Sequence, residues 1–374
     1  MKLKYCGNKS LAMFKHYIND CFNLKRYNRN SNKDKYQYPY VSICLPAYNM
    51  EKYIEKVILS ILNQIFQNFE IIIVNDYSID NTKNIIKRLQ LKDKRIKLIN
   101  HSKNLGVYTS RVDAIFSSKG KYIILMDPDD MLINPKLLQK LYKFNQKYNV
   151  DIIEYTVIRY NENQKILYCK RDKVHFHDFS KIIISQPELS NINYYFPNTK
   201  NYSKVLCRNI WNKIIRREVL LKAINYIGKD YYQKFFITAE DTIINLICFN
   251  FAQNYSNQNL PGYMYNIRKK SMTHGKKNKK NQILFYYNHF LYLKKLFIYI
   301  KDFNKDRDFL YYELIEINRQ FFRLNKISNN FRPKLLDFYN QILNDKYISK
   351  KFKKNLKEIF PLIIYKNYKI KMIK

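Results

Sequence analysis

From residue 40 onward the apolar positions fall into two alternating textures. Val41-Ser42-Ile43-Cys44-Leu45 is a short apolar run that stops at Pro46, as a buried strand does. Ile54, Val57, Ile58, Ile61, Leu62 and Ile65 then recur at i, i+3, i+4, i+7, i+8 and i+11, one face of a helix. Phe69 to Val74 is a second run, continuous enough to predict burial on both faces, as in a parallel sheet. The alternation repeats. Asp80 stands where it caps a helix with Ile85, Ile86 and Leu89 inward. Ile96 to Ile99 reads as a strand, Leu105 to Phe116 as a helix, and Tyr122 to Met126 as a strand ending at Asp127. Pro135 suits the first turn of a further helix that faces Leu137, Leu138, Leu141 and Phe144 inward, and Asp151 to Ile158 is another strand.

Strands alternating with helices predict an α/β fold, with a mostly parallel sheet flanked by helices. In such sheets ligands bind beyond the carboxyl ends of the strands. Residues 1–39 are a polar, basic extension, and the α/β segment spans 40–160. Periodicity weakens from about 160 to 200 and returns over 205–275, so 161–275 forms a second half. Residues 276–374 read as a helical, aromatic and basic C-terminal region.

Composition adds limits. Of 374 residues, 46% are hydrophobic, enough for a sizeable core. Lys and Arg number 68 against 30 Asp and Glu, a net charge of +38 that attracts polyanions. The lysines are spread along the chain and no nucleic-acid-binding motif accompanies them, so no nucleic acid partner is expected. Six scattered cysteines without a C-x-x-C pair fit a reducing compartment. No signal-like segment and no spanning apolar run stands out, which predicts a cytoplasmic protein. Amphipathic basic stretches such as 283–300 leave two readings open: a helical cap on the α/β unit with a solvated lysine face, or a peripheral contact with an anionic membrane.

The chemistry-bearing residues gather where the sheet rule directs. One strand leads into Pro46-Ala47-Tyr48-Asn49 and Glu51, the next into Asn75-Asp76-Tyr77-Ser78-Ile79-Asp80, and another into Asp127-Pro128-Asp129-Asp130. Two acids flanking one residue in an extended segment can both turn toward a hard divalent cation, Mn²⁺ or Mg²⁺, shared with a substrate phosphate. Neither G-x-G-x-x-G nor G-x-x-x-x-G-K-[ST] occurs, which disfavours a dinucleotide enzyme or P-loop ATPase.

In order and spacing these residues resemble family 2 glycosyltransferases, which have the GT-A fold. The motifs that carry the resemblance are Pro46-Ala47-Tyr48-Asn49 with Glu51, Ser60 and Gln64, then Asn75-Asp76 with Ser78 and Asp80. Asn104-Leu105-Gly106 with Arg111 and Asp127-Pro128-Asp129-Asp130 follow. Trp211-Asn212-Lys213-Ile214-Ile215-Arg216-Arg217-Glu218, Glu240-Asp241, and Tyr265 through Arg268 to Ser271 extend it to about residue 275. Tyr77 and Pro128 depart from the family's usual Gly and small polar residue.

The resemblance implies an enzyme that moves a sugar, with inversion, from a nucleotide-diphosphate sugar (a UDP-sugar by expectation) to a hydroxyl of a glycan or glycolipid. Residues 40–160 are then the nucleotide-sugar-binding half, and 161–275 the acceptor-binding half that carries the base. Pro46, Ala47, Tyr48, Glu51 and Asp76 are implied to cradle the base and ribose, with Arg111 also on the nucleotide. Asp129, helped by Asp127, is implied to hold the cation against the diphosphate, with Arg268 stabilising the leaving group. Asp241 is the implied general base. The sequence leaves two alternatives open: a catalytically silent nucleotide-sugar or glycan-binding relative, and a polyanion-binding protein.

Overall fold

The structure is a computed structural model that describes residues 37–161, 209–228 and 240–268, with isolated pieces at 2–4, 166–168, 183–185, 193–194 and 205–206 and single residues at 340 and 344. Contacts divide the chain into two compact units, Met1–Tyr195 with Asn201–Lys276, and Phe196–Lys200 with Lys277–Lys374. All described residues except 340 and 344 belong to the first unit. The helices expected over 276–374 lie outside the described residues, as does most of the basic extension.

The elements follow the alternation of the sequence. They are β1 (Val41–Ala47), α1 (Ile54–Leu62), β2 (Phe69–Asn75), α2 (Thr82–Lys92), β3 (Ile96–Asn100), α3 (Val107–Ser117) and β4 (Tyr122–Leu125). After them come β5 (Met131–Leu132), α4 (Leu137–Tyr148), β6 (Ile152–Asn161), β7 (Lys213–Arg216), α5 (Arg217–Ile227), α6 (Glu240–Phe251) and β8 (Asn254–Ile267). The main sheet runs β3-β2-β1-β4-β7-β6. β3, β2, β1 and β4 are parallel to one another, and β7 lies antiparallel between β4 and β6. β8 pairs parallel with β6 along most of its length and reaches across to β5 in antiparallel register.

Both faces of the sheet are covered, which is why its strands are apolar throughout. Ile43, Leu45, Ile71, Ile73 and Ile124 pack in one core with Ile54, Val57, Ile58 and Ile61 of α1, Ile86 and Leu89 of α2, and Leu137, Leu138 and Leu141 of α4. Their neighbours in sequence, such as Cys44, Ile72 and Ile123, alternate to the opposite face. There α3 packs on β1 and β2 and against α5, which in turn meets α6. Gly120 precedes β4 where the chain passes within reach of Ser42. A Cβ there would stand 2.5 Å from the Ser42 backbone nitrogen, so only glycine fits without a shift.

Two expectations about element ends need correction. The first strand does not stop at Pro46 but continues through Pro46 and Ala47, opposite Val74 and Asn75. The reason lies in the parallel ladder. The Cys44 carbonyl bonds the Met126 amide on the β4 side, whereas the Ala47 carbonyl bonds the Asp76 amide on the β2 side. Pro46 faces the same side as Cys44, beyond the end of β4, where a missing N–H costs no ladder bond. The second correction concerns Ile65, which is 48% exposed. α1 ends at Leu62, and buried Gln64 turns the chain away by bonding the Asn134 carbonyl and the Leu138 amide.

Candidate active site

The carboxyl ends of β1, β2 and β4 form one rim, and three polar clusters are assembled on it. The first ties the two strand-end loops together. Past Ala47 the chain enters a left-handed residue, Asn49 (φ 55°), and past Asp76 it enters another, Tyr77 (φ 61°). The Asn49 amide donates to Ser78 Oγ at 3.0 Å, and the Ile79 amide donates to Asn49 Oδ1 at 3.0 Å. The Glu51 amide donates to Asp80 Oδ2 at 3.0 Å, and Glu51 Oε2 accepts from the Asn81 amide at 3.1 Å. Asp80 Oδ1 also accepts from the amide of Thr82, the first residue of α2, as a cap residue would. Pro46 and Ala47 are buried in the strand beneath, and Tyr48 stands 44% exposed.

The second cluster centres on Asp76, buried at the end of β2. Oδ1 accepts from the Leu105 amide at 2.8 Å and lies 2.8 Å from His101 Nδ1; Oδ2 accepts from the Gly106 amide at 2.8 Å. His101 Nε2 sits 3.0 Å from Asp113 Oδ2 on α3. Gly106 takes φ 90° immediately before α3, a conformation that suits glycine and turns both amides onto the carboxylate. Asp76 therefore fixes the start of α3 from the strand-end rim.

α3 in turn delivers Arg111 to the third cluster. Arg111 is 2% exposed. Its Nη2 donates to Asp127 Oδ1 at 2.6 Å, and its Nη1 donates to Glu240 Oε1 at 2.9 Å and to Asp241 Oδ1. Asp127 follows β4, whereas Glu240 and Asp241 open α6. The guanidinium is thus the link between the two halves of the site. Glu240 is buried with it, and burial pushes its carboxyl above the ordinary range against the pull of Arg111. Asp127 and Asp241 keep 26% and 24% of their side-chain surface open to solvent.

The loop after β4 carries two more acids. Asp129 pairs with Arg268 Nε, and Arg268 lies over the Tyr53 ring, 4.9 Å from its centroid. Burial, together with the neighbouring Asp127, pushes Asp129 up to about 6, and Arg268 opposes the rise. Asp130 is fully buried. It accepts from Tyr263 Oη at 2.6 Å and from the Asn266 amide at 2.8 Å, and burial raises its carboxyl well above the usual range. Tyr263 Oη also accepts from the Asp127 amide at 3.3 Å, so β8 braces the whole Asp127–Asp130 turn. Trp211 stacks on Tyr263 and Tyr265 at ring distances of 5.1 and 5.2 Å, a packing role.

The structure therefore brings Arg111, Asp127, Asp129, Asp241 and Arg268 to one rim, next to Pro46, Ala47, Tyr48, Glu51 and Asp76. Glu240, Tyr263, Tyr53 and His101 are site residues to which sequence reasoning assigned no role. Each meets its partner across a gap in sequence, 129 residues for Glu240 and 133 for Tyr263; the Glu240-Asp241 pair was visible as a motif, but nothing local names the partner. Among the described residues no group of three or more His, Cys, Asp or Glu forms a metal cage. Two carboxylates that share a hard cation with substrate oxygens need no such cage.

The glycosyl transferase family 2 model matches residues 42–223. An uncharacterized glycosyltransferase of Methanocaldococcus jannaschii, MJ1057, is 31% identical over 280 residues, covering 70% of this chain and 89% of that protein. Among solved structures, S. aureus TarS 1-349 in complex with UDP-GlcNAc aligns with a TM-score of 0.57 at 18% identity, over 87% of this chain and 86% of that one. The mannosyltransferase PcManGT from Pyrobaculum calidifontis, in complex with GDP-Man and Mn²⁺, aligns with a TM-score of 0.50 at 13% identity, over 96% and 97%. At such identities the structural likeness speaks for the fold, while the archaeal relative speaks for the family. Sequence and architecture agree: this chain belongs to glycosyl transferase family 2 and is a glycosyltransferase with the GT-A fold.

Proposed function

We propose that this enzyme transfers a sugar, with inversion, from a nucleotide-diphosphate sugar to a hydroxyl of a glycan or glycolipid, with a divalent cation at Asp127 and Asp129. The observation that carries the reading is the Arg111 bridge, which seats Asp241 beside Asp127 on the rim. Donor chemistry at Asp127 and acceptor activation at Asp241 are then adjacent. The neighbours solved with UDP-GlcNAc and with GDP-Man and Mn²⁺ support a nucleotide-sugar donor and a cation. A UDP-sugar is our reading of the donor.

The residues fit a hard cation. Asp127 and Asp129 would supply oxygen ligands, and among the described residues the rim holds Asp127, Asp129, Asp130, Glu240 and Asp241 against two guanidiniums, Arg111 and Arg268. When bound, Mn²⁺ or Mg²⁺ supplies Lewis-acid neutralisation of the diphosphate. Arg268, held by Asp129 and Tyr53, adds a fixed positive charge on the leaving-group side. Asp241 takes the proton of the acceptor hydroxyl as its oxygen forms a bond to the anomeric carbon. The bond from that carbon to the diphosphate oxygen breaks on the opposite face, and the electron pair leaves with the nucleoside diphosphate. One displacement inverts the centre, so one base suffices. Arg111 orients Asp241 and keeps its negative charge compensated until the acceptor arrives.

A thermal-shift panel of UDP- and GDP-sugars, with and without Mn²⁺, tests the reading. Stabilisation that requires a nucleotide and grows with Mn²⁺ is expected. A folded sample that responds to no nucleotide under either condition overturns it. Peripheral contact of the basic residues 276–374 with an anionic membrane would suit a lipid-linked acceptor; among the described residues no helix is long and apolar enough to cross a membrane. Co-sedimentation of the full chain with phosphatidylserine vesicles at low salt is the expected outcome, and equal binding to neutral vesicles counts against it.

A further inference from the structure

His101 is buried, and each of its ring nitrogens meets a carboxylate. Nδ1 lies 2.8 Å from Asp76 Oδ1, and Nε2 lies 3.0 Å from Asp113 Oδ2. A neutral imidazole carries one N–H and one lone pair. Between two ionised carboxylates, one of the two contacts would set that lone pair against an oxygen. Both contacts are hydrogen bonds only when the cluster holds one further proton, on the ring or on a carboxyl. Asp76 also accepts the Leu105 and Gly106 amides, so it is the acceptor in its contact with the ring. The further proton therefore belongs to the contact between His101 and Asp113. Burial pushes the Asp113 carboxyl up, against the pull of His101, which is the direction a shared proton requires. Asp76 faces the ring from the end of β2 and Asp113 from α3. Among the described residues no Lys or Arg pairs with either carboxylate.

The cluster grips α3 at two points. Asp76 holds the Gly106 amide at the start of the helix, and His101 holds Asp113 about two turns further on. Arg111 lies between the two grips. Its bonds to Asp127 at 2.6 Å and to Glu240 at 2.9 Å leave no room for α3 to slide or turn. A helix held at its start alone can still rotate about that end, whereas a second hold fixes the residues between.

We infer that His101 is a positioning residue: the proton it shares with Asp113 closes a clamp on α3 that seats Arg111 against Asp127 and Asp241. The consequence for transfer rests on the function proposed above; the clamp itself is read from stability alone. The folded cluster keeps a proton that the separated groups of an unfolded chain release at lower pH. Stability therefore falls as pH rises through the titration of the cluster. The clamp opens at Asp113, whose side chain is 24% exposed against 5% for Asp76.

The test melts the full chain at about pH 6 and about pH 8.5, either side of ordinary imidazole titration, as wild type and as Asp113→Asn. In Asp113→Asn the amide N–H donates to Nε2 while the ring donates to Asp76, so a neutral ring completes both bonds. The wild type is expected to lose about 2–4 °C more than Asp113→Asn between the two pH values. Equal losses overturn the inference. At about pH 6 the double variant His101→Gln with Arg111→Lys is expected to lose less than the sum of the single losses, because both substitutions loosen one bridge. Strictly additive losses overturn the link to Arg111. With Mg²⁺ present, the stabilisation by UDP or GDP should weaken at the higher pH in the wild type and hold in Asp113→Asn; a parallel change in both counts against the clamp. A wild type that responds to no nucleotide at either pH overturns the donor reading, and the nucleotide-free melts still decide the clamp.

Discussion

Arg111 and Asp241 lie 130 residues apart in the chain and form a direct ion pair at the strand-end rim. The same guanidinium holds Asp127, 16 residues away, through its other terminal nitrogen. A planar fork with several fixed donors can bridge acids from two elements, and a lysine ammonium cannot reproduce that geometry. The pairing also makes α6 dependent on α3, because the first turn of α6 carries Glu240 and Asp241 onto a side chain that α3 supplies.

Replacing Arg111 tests this dependence. Arg111→Met leaves buried Glu240 without its partner, and removal of one member of a buried ion pair costs about 3–5 kcal/mol. The expected result in urea denaturation is a loss of that size. Arg111→Lys should recover part of the stability, with transfer activity still well below wild type. A lysine variant with full activity would show that bridging is unimportant.

Asp241→Asn keeps the shape of the side chain and removes its basicity. A general base contributes about 10²–10⁴-fold, so kcat should fall by that factor. Nucleotide affinity by calorimetry should stay within about twofold, because Asp241 faces the acceptor in this reading. A loss of donor affinity equal to the loss of kcat would move Asp241 to the donor side.

Asp129→Asn separates cation binding from nucleotide binding. The Mn²⁺-dependent part of the thermal stabilisation by UDP or GDP should disappear, while any metal-independent part persists. Persistence of the full Mn²⁺ effect would remove Asp129 from the cation site.

Tyr263→Phe deletes one hydroxyl that serves both Asp130 and the Asp127 amide. Leaving these buried groups short of a partner should cost about 1–3 kcal/mol, read in denaturant melts. Activity should fall as well, since the turn bearing Asp127 and Asp129 loses its brace. A neutral variant would mean that the turn is held by its other contacts alone.

Gly120→Ala places a methyl group 2.5 Å from the Ser42 nitrogen, against backbone. Ser42 also anchors Glu70, at 2.5 Å, so the shift cannot be local to one atom. Overpacking of this kind costs about 1–3 kcal/mol, and a drop in melting temperature without a change in nucleotide affinity is expected.

The layered α/β unit was legible in the sequence because burial imposes a period. A helix covering a sheet needs apolar residues every three to four positions, and a strand buried on both faces needs them continuously. That requirement marks α1 at Ile54, Val57, Ile58 and Ile61, and β2 at Phe69 to Val74, with no knowledge of their partners. It also places Asp76, Asp127 and Asp129 at strand ends, where open α/β sheets bind ligands. Element ends were less legible. Whether Pro46 closes β1 depends on which neighbour its missing N–H would have faced, and that depends on where β4 stops.

What only the tertiary structure decided is who meets whom. The family resemblance implies Arg111 as a nucleotide contact, and the sequence shows Glu240-Asp241 as an acidic pair at a helix start; the fold joins them, because α3 and α6 converge on the same rim. The partners of Asp130, Tyr263 and Asn266, come from β8, more than 130 residues further along the chain. The conformation of Tyr77 belongs to the same class. Its identity as a departure from glycine was readable, but its positive φ follows from bonds between two loops that neither loop specifies alone. Periodicity records how each segment meets water or core, and it carries no address for a partner, so the elements were read from the chain while the chemistry between them required the fold.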